Sequence, residues 1–225
     1  DARGYAGAII FGGPMSANDD TEHDYIRKEI DWIATPLAQG VPYLGICLGG
    51  QMLARQLGGR VYGHPDERAE IGYYEISPTS HGEAYGPWPE RVYQWHREGF
   101  DLVDGAVSLA EGGEHFPNQA FAYNDTAFAI QFHPEVTHTP KGVDILRNFL
   151  YNICECSGDW QMSDFVEETV TRVRQQVGDA TVICGLSGGV DSTVTAVLIH
   201  KAIGKRLTCI FVDNGILRLN EAEKL

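Results

Sequence analysis

The sequence predicts an α/β protein built as two such units in series. Short apolar runs alternate with helical periodicity, glycine turns close the runs, and the pattern restarts after a break near residues 154–158. Parallel strands need a crossover of helix length between them, so this alternation reads as sheets flanked by helices. Residues 6–11 form the first apolar run, closed by Gly12-Gly13-Pro14. Ile26, Ile30, Ile33 and Leu37 then recur at helical spacing up to Gly40. Residues 41–46 predict a second strand, and Leu48, Met52, Leu53 and Leu57 the apolar side of a helix stopped by Gly58-Gly59. Cys47 falls at that strand-to-helix junction.

Residues 60–126 are richer in Gly, Pro, Tyr and His and alternate only briefly, as at residues 91–94, so irregular strands and loops are expected there. Residues 127–132 return as a strand. Val143, Leu146, Phe149, Leu150 and Ile153 mark a helix that closes a first domain over residues 1–154. A second domain is expected over residues 159–225. Phe165, Val166, Thr169, Val170, Val173 and Val177 share one helix face, followed by a strand at residues 180–186, a helix at 191–203 and a strand at 207–212. The chain begins at Asp1 without methionine and ends at Leu225 within a helical pattern, which leads us to expect a fragment lacking its N-terminus and the rest of the second domain.

Composition narrows the function classes. With 43% hydrophobic residues in 225, the chain can bury a sizeable core. Its 17 basic against 31 acidic residues give a net charge of -14, which leaves no broad basic face for a phosphate backbone, so nucleic acid is not an expected partner. Five cysteines are an odd number, and Cys184 and Cys209 sit in apolar runs, so a reducing cytoplasm is expected rather than a disulfide framework. No apolar stretch reaches the roughly 18 residues that span a bilayer, so no membrane is expected as a partner.

Gly45-Ile46-Cys47-Leu48-Gly49 puts a cysteine on a tight strand-to-helix turn with glycine two positions away on each side, the layout of a nucleophile elbow. The glycines permit a strained backbone, and the helix N-terminus favours thiolate. A buried structural cysteine would fit the same position. His133-Pro134-Glu135 adds a base and an orienting acid, because side chains two apart on extended backbone point the same way. Alone, a histidine at a strand end is more often a satisfied structural residue; with Cys47 it completes the set used in acyl transfer.

Residues 45–51 and 131–135 resemble the class I, triad-type glutamine amidotransferases. The resemblance implies that Cys47 attacks the side-chain amide of glutamine, that His133 carries the proton to ammonia, and that Glu135 orients the imidazole. It further implies that Gly13 and Leu48 offer backbone N–H groups to the oxyanion, on a turn that could otherwise be an ordinary one, and that Gln51 lines the glutamine pocket. Glu98 is a candidate for the substrate's amino group, or else a solvated loop charge.

Ser187-Gly188-Gly189-Val190-Asp191-Ser192 follows a strand and opens a helix, so backbone N–H groups and two hydroxyls can surround a phosphate at a positive helix end. It lacks the Gly-Lys-Ser/Thr ending of a Walker loop. A glycine turn with a capping aspartate is the plain alternative. The hexapeptide resembles the pyrophosphate-binding loop of the N-type ATP pyrophosphatases, and Asp213, at a strand end, is a candidate nucleotide or Mg²⁺ contact or a simple turn residue.

The order of the two domains resembles the GMP synthetase family. What this implies is an open mixed amidotransferase sheet followed by the start of a parallel pyrophosphatase sheet, with ATP, glutamine and XMP as substrates and Mg²⁺ on the phosphates. No side-chain metal site is expected, and a homodimer is. One departure stands out: the family reads Ser-His-Gly-Asp where this chain reads Trp95-His96-Arg97-Glu98. An amidotransferase fused to a pyrophosphatase of other specificity, and a catalytically silent nucleotide-binding module, remain open as alternatives.

Overall fold

The computed structural model describes residues 1–212. Asp213 lies outside the described residues. The chain divides into two compact units, with the break between Ser157 and Gly158.

The first unit starts with strand β1 (Ala8–Ile10), helix α1 (Asp24–Gln39), strand β2 (Tyr43–Ile46) and helix α2 (Leu48–Gln56). On α1, Ile26, Ile30 and Ile33 are at most 1% exposed, because their spacing gathers them on the one stripe that faces the sheet. Gly40 stops the helix at φ 66°, a left-handed value that glycine adopts without strain. Every residue of β2 is buried, which accounts for an apolar run without alternation: a central parallel strand is covered on both faces.

Six strands follow: β3 (Val61–Gly63), β4 (Glu70–Pro78), β5 (Arg91–His96), β6 (Glu98–Phe100), β7 (Ala106–Gly112) and β8 (Asn118–Tyr123). Strand β9 (Ala127–Ile130) and helix α3 (Gly142–Arg147), continued by a π-helical stretch over Asn148–Ile153, complete the unit. The main sheet runs β1-β2-β9-β8-β7-β4-β5. β1, β2 and β9 are parallel; β8, β7, β4 and β5 extend them antiparallel, while β3 and β6 form a separate ribbon.

Residues 60–126 are therefore far more regular than their sequence suggests. The alternation is blurred by register shifts in β7 between Ser108 and Glu111, and by Gly72 and Gly112 at positive φ. The two faces of the sheet carry separate cores. Tyr43 and Phe121 point into one, with Ile26, Ile30, Met52 and Leu53 of α1 and α2. Their chain neighbours Leu44 and Ala122 point into the other, with Phe128, Phe132, Ile145 and Phe149.

The second unit opens with α4 (Met162–Val177), β10 (Val182–Leu186), α5 (Val190–Ile203) and β11 (Leu207–Phe211). β10 and β11 pair in parallel from Val182↔Leu207 to Leu186↔Phe211, with α5 as the crossover. Arg174 on α4 donates to the Ala202 carbonyl at the end of α5, 3.1 Å away. Among the described residues no helix is long and apolar enough to cross a membrane.

Phe121 is fully buried and meets Phe100 edge-on at 5.2 Å between ring centres. Phe121→Ala should cost the first unit about 3–5 kcal/mol, the usual range for an emptied aromatic site. Urea unfolding checks this, with Val107→Ala, 40% exposed on the neighbouring strand, as a control expected to cost under about 1 kcal/mol.

Candidate active site

The parallel pairing of β2 with β9 sets Ile46 opposite Ile130, so both strands end side by side. The Cys47 amide donates to the Ile130 carbonyl at 2.7 Å, joining the two ends. Cys47 itself takes φ 52° and ψ -107°, a conformation that a side-chain-bearing residue adopts only when its surroundings hold it there. The flanking glycines are required by contact. A Cβ on Gly45 would lie 2.3 Å from the Gly49 carbonyl oxygen, and one on Gly49 would lie 2.2 Å from that of Ile10. The Gly-x-Cys-x-Gly spacing thus reports how tightly β1, β2 and α2 meet.

His133 follows β9, its backbone held by donation of its amide to the Tyr93 carbonyl (3.2 Å) and by the Thr139 hydroxyl on its own carbonyl (2.6 Å). Its Nδ1 is 2.7 Å from Oε1 of Glu135, so Nδ1–H donates to the carboxylate. A Cβ on Gly12 would lie 2.9 Å from His133 Cε1 and 3.7 Å from Cys47 Sγ, which places imidazole and thiol together over a glycine floor. Burial pulls the His133 pKa down. The attraction of Cys47, with the hydrogen bond to Glu135 and its charge, outweighs it and pushes the pKa up to about 10. Nε2 is buried and makes no direct hydrogen bond of good geometry, but the electrostatic attraction of the sulfur does not require one.

Gly13 sits against Leu48, with 3.1 Å between its ideal Cβ position and Leu48 Cδ2, and Leu48 is the first residue of α2. The N–H groups of a first helical turn point out of the helix end. Gln51 is buried on α2; its Nε2 donates to the Glu98 carbonyl (2.8 Å) and lies 3.3 Å from Gln131 Oε1. Gln131 Nε2 is 3.9 Å from Cys47 Sγ. The Glu98 carboxylate accepts from Asn18 Nδ2 at 3.3 Å, so this side chain is not simply a solvated loop charge. Trp95 is 67% exposed because β5 alternates, turning Gln94 and His96 inward and Trp95 out.

Gln131, Gly12, Asn18, His96 and Glu70 also belong to this neighbourhood and carry no role in the sequence reading. A glutamine inside the apolar run 127–132 is a signal for the first of them; nothing local marks Asn18.

In the second unit, Gly188 takes φ 82° and Gly189 caps α5. The Ser187 amide donates to Ser192 Oγ (3.2 Å), the two serine hydroxyls are 3.1 Å apart, and Ser192 Oγ donates to the Gly189 carbonyl (3.1 Å). Val190 and Asp191 open the helix. Ser187, Gly189, Val190 and Asp191 are exposed, so the helix end is open to a ligand.

Residues 1–153 match the family described as glutamine amidotransferase class-I, and residues 161–213 the family described as NAD synthase. The chain is similar to the GMP synthase (glutamine-hydrolyzing) of Aromatoleum aromaticum, 43% identical over 98% of this chain and 43% of the relative. It is likewise 42% identical to that of Bacillus subtilis over 96% of this chain and 41% of the relative. The chain thus spans about two-fifths of the length of these relatives. Among solved structures, a glutamine amidotransferase from Thermotoga maritima superposes with TM-score 0.58 at 29% identity, covering 65% of this chain and 78% of that one.

The elevated His133 pKa yields a prediction. Ring NMR of His133 should show a midpoint well above the ordinary value near 6.5, lowered by both Glu135→Gln and Cys47→Ala. Because the folded pKa is raised, the pair's contribution to stability should be complete below about pH 6.5 and lost as pH rises towards 10.

Proposed function

The chain belongs to the class-I glutamine amidotransferase family, and from that premise we propose that its first unit hydrolyses glutamine at Cys47. The observation that carries this reading is the strained Cys47 elbow facing, across Gly12, an imidazole already hydrogen-bonded to Glu135. The Cys47 sulfur attacks the γ-carboxamide carbon of glutamine, and the carbonyl π electrons move onto oxygen. The N–H groups of Gly13 and Leu48 meet that oxyanion, the point at which fixed donors contribute most. As the tetrahedral intermediate collapses, the C–N bond breaks and His133 delivers its proton to the departing nitrogen, releasing ammonia and leaving a glutamyl thioester. A water molecule, deprotonated by His133, then attacks the thioester and frees glutamate and the thiol. Glu135 keeps the imidazole in one tautomer throughout. Gln51, Gln131 and Glu98 hold the amino-acid end of the substrate, Glu98 by offering its carboxylate to the α-ammonium.

For the second unit we infer that the loop Ser187, Gly188, Gly189, Val190, Asp191 and Ser192 holds the pyrophosphate of ATP. Open backbone N–H groups at a helix end, two glycines and two hydroxyls support this reading. A Mg²⁺ ion would be carried mainly on the nucleotide phosphates. Asp213, outside the described residues, is the candidate nucleotide or Mg²⁺ contact that the sequence offers.

The similarity to GMP synthases runs through both units, and on it we base the reading of the whole enzyme. ATP adenylates XMP with loss of pyrophosphate, and ammonia from the first unit displaces AMP to give GMP. The NAD synthase match over residues 161–213 alone would admit another acyl-adenylate acceptor, but it does not account for the matched first unit. Cytoplasmic residence and homodimeric assembly belong to the same reading.

Two outcomes test this. Cys47→Ala should reduce glutamate release from glutamine by at least about a thousandfold, as expected for loss of a nucleophile; residual turnover near the original rate would refute it. Calorimetric titration of pyrophosphate should show binding to the chain that weakens at least about tenfold, some 1.4 kcal/mol, in the double variant Asp191→Ala, Ser192→Ala. Equal binding by both forms would remove the phosphate assignment.

A further inference from the structure

Glu70 and His96 are side by side on β4 and β5, paired in the strand register, and their side chains are 0% and 2% exposed. Nothing in the hydrolysis of glutamine uses them. A carboxylate and an imidazole this deeply buried are costly unless they are paired and hydrogen-bonded, so their surroundings should show what holds them.

Glu70 Oε1 accepts from three successive backbone amides, those of Glu114 (2.6 Å), His115 (2.8 Å) and Phe116 (3.4 Å), in the turn between β7 and β8. That turn closes so tightly on the carboxylate that a Cβ on Gly113 would lie 2.7 Å from the same oxygen. Burial pushes the Glu70 pKa up, but the bond from His96 and those from the turn outweigh it and hold the carboxyl below its usual range, so it is ionised.

His96 Nδ1 lies 2.9 Å from the Glu98 carbonyl oxygen, which can only accept, so Nδ1 carries a proton. Its Nε2 lies 3.3 Å from Glu70 Oε2, and neither atom has any other partner among the described residues. The ring packs against Phe116, 5.1 Å between centres, which fixes its plane.

The Glu98 carbonyl that His96 grips is the one that also accepts from Gln51 (2.8 Å), and Gln51 leads through Gln131 to Cys47 Sγ. A continuous set of polar contacts therefore joins the buried pair to the nucleophile, with the backbone of Glu98 as its pivot.

We propose that Glu70 and His96 are positioning residues for the glutamine pocket: the pair clamps the Glu98 carbonyl, and thereby sets where Glu98, Gln51 and Gln131 meet the amino-acid end of the substrate. An apolar pair of equal volume would fill the space but leave the Glu98 carbonyl one donor short and the turn amides of residues 114–116 without their acceptor. Trp95 and Arg97 are exposed, so within the Trp95-His96-Arg97-Glu98 segment the residues that bear on the pocket are His96 and Glu98. This inference rests on the glutamine-hydrolase reading. It predicts a loss that falls on capture of the substrate rather than on the chemistry at sulfur.

The test compares the full chain with Glu70→Gln and His96→Gln in covalent labelling of Cys47. One reagent is an electrophilic glutamine analogue, 6-diazo-5-oxo-L-norleucine; the other is iodoacetamide, which needs no amino-acid pocket. We expect the analogue concentration for half-maximal labelling to rise about tenfold or more in both variants, while the saturating rate and the iodoacetamide rate stay within about threefold. Unchanged half-saturation overturns the proposal, and so does a parallel fall with both reagents, which would mark a general structural role. If either variant fails to fold, ring-nitrogen NMR of His96 in the unmodified chain decides: a proton on Nδ1 held in a hydrogen bond supports the clamp on the Glu98 carbonyl, and an Nδ1 without a proton overturns it. Failure of the hydrolase reading looks different. The unmodified chain would then show no saturable labelling by the analogue, and with no glutamine pocket to position, the proposal would fall with it.

Discussion

The contact between Gly49 and the Ile10 carbonyl, with no room for even a methyl group between them, governs the geometry of the first unit. It draws the first turn of α2 against the end of β1, and Gly45 against Gly49 draws the same turn against β2. Of the three residues between those two points, Ile46 ends β2 and Leu48 opens α2, so the reversal of direction falls on Cys47, at positive φ. Such a conformation costs about 1–3 kcal/mol and persists only because the two buried faces of the sheet hold the strands in place. Core packing thus does the work of holding a strained nucleophile, and the nucleophile's orientation is a property of three strands and a helix rather than of a loop.

The parallel register of β2 with β9 does the rest. Because Ile46 stands opposite Ile130, the residues just beyond each strand end share one rim, and Cys47 meets Gln131 and His133 without any long excursion of chain. Open α/β sheets bind ligands at the carboxyl ends of their strands for this reason: side chains from separate strands converge there while the backbone remains rigid. The antiparallel half of the sheet adds what the parallel half lacks. Among its buried polar side chains, Glu70 and His96 lead to the same rim through the Glu98 carbonyl, and Gln94 and Gln119 bond to each other. Interior polar groups must satisfy one another, so they lock one arrangement where apolar residues would tolerate several.

Much of this was legible in the sequence, and the reason is physical. The helix α1 announces itself through the helical period of its apolar residues, and the strands β2, β9 and β10 through short apolar runs. The elbow at Cys47 and the loop at residues 187–192 are visible because glycine spacing records close backbone approach directly. The His133–Glu135 contact follows from extended backbone alone. What stayed hidden has the opposite character. β4 to β8 pair across long separations and carry register shifts, so no local period survives. Glu70, His96 and Asn18 act through partners 26, 2 and 80 residues away along the chain or through backbone carbonyls, and a single sequence does not encode which carbonyl faces which ring. The outward turn of Trp95 likewise depends on which face of β5 the core covers.

Cys47 as the atom that carries the acyl group is the claim on which the rest of the account depends. Mixing the chain with glutamine, quenching in acid within the first turnovers and mapping the digest by mass spectrometry tests it most directly. A glutamyl thioester on the peptide containing Cys47, which disappears on treatment with hydroxylamine, is the result the geometry predicts. Glutamate accumulating with no acyl adduct on that peptide, or an adduct on Cys154 or Cys184 instead, would contradict it.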